Sequence, residues 1–492
     1  MKFRSTREPF AATYTGAQVI KQGLAPDGGL FVPESIPLLT FKELEALLPL
    51  SYPERAAAVL SKFLTDYSKD ELLQDAAAAY SESAFPGGAA PLHALSDGLY
   101  TQELWHGPTA AFKDMALQMM PRLLSRALLK TGEKRTALIL VATSGDTGKA
   151  ALEGYKDIER VRILVFYPED GVSTVQKLQM QTQTGKNVQV VAIKGNFDDA
   201  QTGVKKIFSD SEMACKLAER GYFLSSANSI NWGRLAPQIV YYVSAYCDLL
   251  SKGKIKMGDT VNVTVPTGNF GNIFAAYLAK RMGLPLGKLV CASNKNHILT
   301  DFLRTGRYDR NRDFYLTMSP SMDILISSNL ERLLYFTAGP EVTAAKMAEL
   351  SATGAYTVDA KTKALIDENF CGYFADEENT ALAIRDTFRD DRYLVDPHTA
   401  VGVHAARQYR QESGDLRPMI VASTASPYKF ALDVCRSLGI EEKDPLRALA
   451  ALSEKTQTEI PYPLRGIGER PIRFTDVITP DAMSEVVLRN AT

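Results

Sequence analysis

One lysine in this chain stands where a lysine is costly. The segment His106-Gly-Pro-Thr-Ala-Ala-Phe-Lys-Asp-Met-Ala-Leu-Gln118 breaks at Gly107-Pro108 and then opens a helix, with Thr109 at the N-cap position. At about 100° per residue, Asp114, Gln118, Arg122 and Ser125 fall together as a solvent face. Lys113 lies about 130° from the centre of that face, in line with Leu117, Met120, Leu124 and Leu128. A lysine in an apolar stripe snorkels, pairs or reacts. Desolvation lowers the pKa of an amine and makes it a nucleophile and base, as a Schiff-base lysine must be. Snorkelling from the first turn fits the same spacing, so geometry alone leaves both readings open.

Two loops have the makings of anion sites. Gly268-Asn-Phe-Gly-Asn272 follows a strand-like run and opens a helical one, so its amides and the positive helix end suit a phosphate. A tight turn with no ligand is the plain alternative, and the segment is neither a P-loop nor a dinucleotide fingerprint. Thr143-Ser-Gly-Asp-Thr-Gly148 repeats the arrangement with hydroxyls that suit a carboxylate, although Asp146 also reads as a simple N-cap. A third run ends in hydroxyls at Ser423-Thr-Ala-Ser426. With Lys113, these loops point to a phosphate-bearing cofactor and an amino-acid substrate. The five histidines show no metal-ligand spacing, so no catalytic metal is expected. Ser144 lies in S-G-D rather than G-x-S-x-G, which argues against a serine hydrolase.

The elements that must carry these groups are continuous apolar runs at 136–143, 161–166, 188–193, 260–265, 288–293 and 419–423, most of them followed by helical patterns. Such alternation predicts α/β architecture with parallel sheets buried on both faces. The runs form two groups, 136–193 and 260–293 with 419–423, expected to be two α/β domains meeting at a cleft. The first 95 or so residues read as mostly helical, and 340–389 as several helices. The expected division is therefore 1–95, then 96–224 with Lys113 and the carboxylate loop, then 225–492 with the phosphate loop and helical insertions. A length of 492 residues agrees with about three domains, and 45 % hydrophobic with 23 % charged residues with a globular chain. The net charge of -1 argues against nucleic-acid binding driven by bulk charge. Five scattered cysteines without a CxxC pair, an N-terminus lacking a signal-peptide core and no spanning apolar run predict a cytoplasmic protein without a membrane partner.

Longer segments carry a resemblance. HGPTAAFKDMALQMM, ATSGDTGKAALEGY, GNFDDAQTGVKKIF, SSANSINWGRLAPQIVYY, VPTGNFGNIFAAYLAKRMGLP, SPSMDILISSNLERLL and DPHTAVG, with APDGGLFVP near the start, span nearly the whole chain in order. In these the chain resembles the threonine synthases of bacterial and fungal type, pyridoxal-phosphate enzymes of fold type II. The resemblance implies two α/β domains around a cofactor cleft, as in the tryptophan synthase β chain, with a helical N-terminal domain. It implies that Lys113 carries pyridoxal 5'-phosphate as a Schiff base, that Gly268, Asn269, Phe270, Gly271 and Asn272 cradle its phosphate, and that the Thr424 hydroxyl faces its ring nitrogen. Thr143, Ser144, Asp146 and Thr147 become the substrate-carboxylate loop, with Asp146 also near the cofactor's phenolic oxygen. Asn228, Ser229 and Arg234 become the grip on the phosphate of O-phosphohomoserine, for which a planar guanidinium is chemically apt. The implied reaction turns O-phospho-L-homoserine and water into L-threonine and phosphate, carried out by a monomer. Departures from the family pattern are Glu8 after Arg7, and Ser426 and Tyr428 where a histidine and an alanine are usual. A serine/threonine dehydratase, a phospholyase releasing 2-oxobutyrate, a non-catalytic cofactor-binding homologue and a nucleotide-binding protein are the alternatives.

Overall fold

The computed structural model describes residues 1–8, 12–143, 145–170 and 172–491. Ser144 lies outside the described residues.

The apolar runs become the inner strands of two sheets. In the smaller, Val477–Ile478, Val188–Ile193, Val161–Pro168, Thr136–Ala142 and Tyr222–Ser225 lie side by side in that order, all parallel. In the larger, the order is Phe370–Phe374, Leu286–Ser293, Val261–Pro266, Met419–Ser423, Leu99–Glu103 and Leu92–Ala94, and only the last pair is antiparallel. Leu138, Ile139 and Leu140, three consecutive residues, are all buried, as covering helices on both faces require. The chain is therefore α/β, with two parallel sheets.

The sheets exchange segments, and the expected divisions at 96 and 225 do not follow this. Leu99–Glu103 belongs to the larger sheet although it lies within 96–224, and Val477–Ile478 joins the smaller sheet from the far end of the chain. Leu99-Tyr-Thr-Gln-Glu103 lacks the apolar signature of a buried strand. Its Gln102 is nonetheless buried, because the side-chain amide donates to the Tyr241 carbonyl.

The N-terminal region is helical, as its pattern predicts. Gly16–Gln22, Phe41–Leu47, Tyr52–Phe63 and Lys69–Ala79 each begin with Ser or Thr followed three residues later by Glu or Gln, and each forms the reciprocal capping box. A short antiparallel pair, Phe3–Ser5 with Phe31–Pro33, ties the region together. At the centre of the molecule, helix Trp232–Ser251 is buried on nearly every face and packs against Tyr52–Phe63, Gly271–Arg281 and Lys113–Leu117. Between 340 and 391 the helices Pro340–Thr353, Ala360–Asn369 and Glu377–Asp391 appear as expected, interleaved with strands Ala355–Thr357 and Phe370–Phe374.

Candidate active site

Four strands of the two sheets deliver the predicted groups at their carboxyl ends, where α/β proteins bind ligands. Leu99–Glu103 leads to the Lys113 segment, Val261–Pro266 to the Gly268 loop, Met419–Ser423 to Thr424, and Thr136–Ala142 to Asp146.

Backbone hydrogen bonds lock the lysine segment to the Thr424 segment. Phe112 N–H donates to the Thr424 carbonyl at 2.7 Å, and Ser426 N–H donates to the Ala110 carbonyl at 3.0 Å. Ala110 holds a left-handed φ of 58°, unfavourable for a residue with a Cβ. The two flanking bonds over-determine that turn.

The helix itself differs from the expected one. It runs from Lys113 to Leu117 and stops, and a second helix, Met120–Lys130, follows. Thr109 is not its N-cap. Instead the Asp114 carboxylate accepts the Thr109 N–H at 2.8 Å and the Thr109 hydroxyl at 2.7 Å. Asp114 is therefore fully buried, not on a solvent face, and burial pushes its carboxyl up to about 7 against the lowering effect of the Thr109 hydrogen bonds. Leu117, Met120, Leu124 and Leu128 are buried as predicted.

The Lys113 side chain is 12 % exposed. Burial, joined by the Lys429 and Arg234 charges, lowers its amine to about 8 against the opposing pull of Asp146. Its Nζ donates to the Ser321 hydroxyl at 3.2 Å and lies 3.7 Å from Asp146 Oδ2. Asp146 begins its helix and meets a second ammonium: Lys429 Nζ is 2.6 Å from Oδ1 and also donates to the Thr109 carbonyl at 3.0 Å. The Gln176 amide donates to the same Oδ1 at 2.8 Å. Burial alone would raise the Asp146 carboxyl, but Lys429 and Lys113 outweigh it and hold it far below the usual carboxylate range. Gly145 makes room for this approach, since a Cβ there would sit 2.5 Å from the Gln176 side chain.

Lys429, Ser321 and Gln176 were absent from the sequence-based candidates. Lys429 has a signal in the sequence, as the lone charge of Ser426-Pro-Tyr-Lys-Phe430 beside the departures at Ser426 and Tyr428, and its side chain is fully buried. Ser321 is positioned from behind. Its N–H donates to His398 Nε2 at 3.1 Å, and His398 Nδ1 meets Asp396 Oδ2 at 2.7 Å, which places the ring proton on Nδ1.

The Gly268 loop has the form of an anion cradle. Phe270 sits at φ 62°, turning the chain into helix Gly271–Arg281. A Cβ at Gly268 would lie 2.8 Å from the Ser321 carbonyl oxygen, so the loop and the Ser321 turn close on one another. The Asn269 carbonyl accepts from the Asn329 backbone at 3.1 Å and from its side chain at 2.9 Å. Asn272 is buried; its Oδ1 accepts from the Tyr242 hydroxyl, and its Nδ2 has no partner. At the start of the central helix, which also carries Tyr242, Arg234 is 3 % exposed. It donates to the Ala227 carbonyl at 2.5 Å, its Nε is unpartnered, and among the described residues no carboxylate pairs with it. Burial lowers its guanidinium to about 10. A buried cation and a buried amide, each short of a partner, suit anionic ligands.

The remaining predicted residues are placed less directly. The Thr143 hydroxyl accepts from Gly145 N–H at 3.0 Å and Gly148 N–H at 2.9 Å, so it shapes the loop. Thr147 is half-buried in the first helical turn. The Thr424 backbone is fixed by the Thr399 hydroxyl at 3.2 Å. Asn228 is exposed and Ser229 half-buried; they bond to each other at 3.3 Å, and among the described residues no hydrogen bond ties them to Lys113 or Asp146. No group of His, Cys, Asp and Glu among the described residues has the arrangement of a metal site.

Comparison with known proteins gives the family. Residues 2–80 match the model described as threonine synthase N terminus, 87–424 that of pyridoxal-phosphate dependent enzymes, and 399–487 that of threonine synthase, C-terminal. The threonine synthase of Pseudomonas aeruginosa is 39 % identical over 93 % of this chain and 94 % of its own. Human threonine synthase-like 1 is 41 % identical over 87 % of this chain, which spans only 58 % of that longer protein. The pyridoxal-phosphate-bound threonine synthase from Brucella melitensis superposes with a TM-score of 0.89 at 37 % identity, covering 100 % of this chain and 99 % of its own. The chain belongs to the threonine synthase family of pyridoxal-phosphate-dependent enzymes.

Proposed function

We propose that this chain is a pyridoxal-phosphate-dependent lyase that converts O-phospho-L-homoserine and water to L-threonine and phosphate. The observation that carries the reading is the pairing of a glycine-lined anion cradle with a second, separately built cation. Gly268–Asn272 suits the cofactor phosphate, and buried Arg234 lacks a carboxylate of its own. A substrate that brings a second phosphate supplies that partner. A dehydratase acting on serine or threonine has no such group to offer.

The residues fit the cofactor. Gly268 leaves space where a side chain would collide, Asn272 Nδ2 is an unpartnered donor, and Lys113 is a desolvated amine. Lys113 would hold the aldehyde end, Gly268, Asn269, Phe270, Gly271 and Asn272 the phosphate, and Thr424 would serve the ring nitrogen. When bound, pyridoxal phosphate supplies the electron sink that makes the Cα proton of an amino acid removable.

The chain's own groups then do the following. Lys113 Nζ removes and returns protons at substrate carbon, and an amine near 8 is poised for both directions at neutral pH. Asp146, kept ionised by Lys429, stabilises the ammonium each time Lys113 gains a proton. The Ser321 hydroxyl, 3.2 Å from Nζ, aims the amine. Arg234 binds the phosphate that departs, through charge-assisted hydrogen bonds. We assign the substrate carboxylate to Thr143, Ser144, Asp146 and Thr147, and Asn228 and Ser229 to the departing phosphate together with Arg234.

We place the enzyme in the cytoplasm, supported by five free cysteines, and propose that it acts as a monomer, as its likeness to threonine synthases of bacterial and fungal type suggests. The test is to incubate the holoenzyme with O-phosphohomoserine and identify the product by NMR. Threonine with equimolar phosphate is expected; 2-oxobutyrate, or no phosphate release, overturns the assignment.

A further inference from the structure

A cavity of about 520 Å³ draws its wall from four parts of the chain: the turn after helix Lys69–Ala79, the ends of the Lys113 segment at Pro108, Gln118 and Arg122, Lys149 and Glu153 with the turn at 182–184, and the C-terminal stretch that holds Arg470. Neither Lys113, Asp146, Arg234 nor the Gly268 loop lines it. Its volume is that of an ordinary small-molecule site.

Its wall is positively charged and under-partnered. Arg122 is half-buried, burial lowers its guanidinium, and among the described residues it makes no hydrogen bond or ion pair. The carboxylate nearest in charge, Asp75, is already held by Arg126 at 2.6 Å. Arg470 donates to the Arg465 carbonyl at 2.9 Å and has no carboxylate partner among the described residues. Gln118 Nε2 is buried with no acceptor. Lys149 is held by Glu153 at 3.0 Å and by Gln183. Among the lining residues three cations meet one carboxylate, with Asp75 and Asp114 acting on Arg122 and Lys149 from behind the wall, so positive charge is in excess beside an unused amide donor.

We propose that this cavity is a second, non-catalytic site for a small oxyanion carrying two negative charges, a phosphate monoester or a dicarboxylate. The two guanidinium groups neutralise the ligand, and the Gln118 amide and Ser83 hydroxyl supply neutral donors. Gln118 ends the helix that carries Lys113, while Lys149 and Glu153 lie on the helix begun by Asp146. A ligand here braces both catalytic helices against the N-terminal region and the 462–470 segment, which makes the site one for an effector. The proposal stands independently of the substrate assignment, because it is read out by binding.

The experiment is calorimetric titration of the holoenzyme with ribose 5-phosphate and, separately, with succinate. One of the two is expected to bind at one site per chain, and which one identifies the source of the charge. Arg122→Gln removes a charge-assisted contact and weakens binding about ten- to a hundred-fold. Ser83→Glu, an exposed change that leaves folding intact, weakens it comparably by repulsion. Arg234→Gln, which disables the catalytic anion site, leaves this affinity unchanged. Binding of neither probe, or loss of binding in Arg234→Gln but not in Arg122→Gln, overturns the proposal.

Discussion

Replacing Lys429 by methionine tests whether the buried charge network is held together as described. The ammonium lies 2.6 Å from Asp146 Oδ1, with a side chain that is 0 % exposed. At an effective dielectric of about 20, that separation corresponds to an attraction of about 6 kcal/mol before desolvation. Removing one partner of a buried pair leaves the other charge stranded and costs about 3–5 kcal/mol. With about 2.1 cal/mol/K of unfolding entropy per residue, the 492-residue chain should melt about 3–5 °C lower. The sign with pH follows from Asp146. Its folded-state value is depressed, so its contribution is present above the ordinary carboxylate value and is lost as pH falls through the depressed one. The melting gap between wild type and K429M should therefore be full at neutral pH and close only in strong acid. Thermal denaturation of the holoenzymes from pH 4 to 8 measures it. The double variant, with Asp146→Asn added, should recover more than half of the loss, since both charges then leave together. A K429M protein melting within about 1 °C of wild type at neutral pH, or a double variant less stable than the single one, refutes the reasoning.

Three further outcomes are expected. Gly268→Ala places a Cβ 2.8 Å from the Ser321 carbonyl, and should weaken cofactor binding about tenfold by equilibrium dialysis while leaving the fold unchanged by circular dichroism. Arg234→Gln should raise KM for the phosphorylated substrate about ten- to a hundred-fold and abolish inhibition by inorganic phosphate, because the proposed reading makes the buried cation the partner of that group. Attachment of pyridoxal phosphate to the apoprotein needs the neutral amine of Lys113. Its rate, followed by absorbance, should climb about tenfold per pH unit below about 8 and level off above.

Where burial leaves an apolar trace, the strands were legible. Val188–Ile193 and Met419–Ser423 appear with the bounds their composition predicts. Leu99–Glu103 did not, although it pairs with Met419–Ser423 inside the larger sheet, because Thr101 and Gln102 are buried polar residues. Lys113 was legible because helical spacing put it among leucines, yet the same spacing sent Asp114 to solvent. The break after Leu117 and the capture of Thr109 by its carboxylate are tertiary facts that no local periodicity contains. Lys429, Ser321 and Gln176 were missed for a related reason. Each meets Asp146 or Lys113 across 30 to 283 residues of chain. Their types are unremarkable until the two sheets bring them together.

That dependence on both sheets has a consequence for control of the base. Asp146 hangs from the smaller sheet, whereas the Thr424 segment, Lys429 and the Gly268 loop follow strands of the larger one. The low value of Lys113 comes first from burial and then from the Lys429 and Arg234 charges, so it exists only while the elements around it exclude water. At pH 7 an amine at about 8 is neutral in about one molecule in ten, against about one in three thousand at the ordinary 10.5. Separating the sheets would rehydrate Nζ and move it back toward the ordinary value, which amounts to a loss of several hundred-fold in available base without any change of residue. On the proposed role of Lys113, a closed arrangement would therefore both shelter the substrate from water and create the base that acts on it. An amine exposed to solvent in the open form would hold its proton and wait.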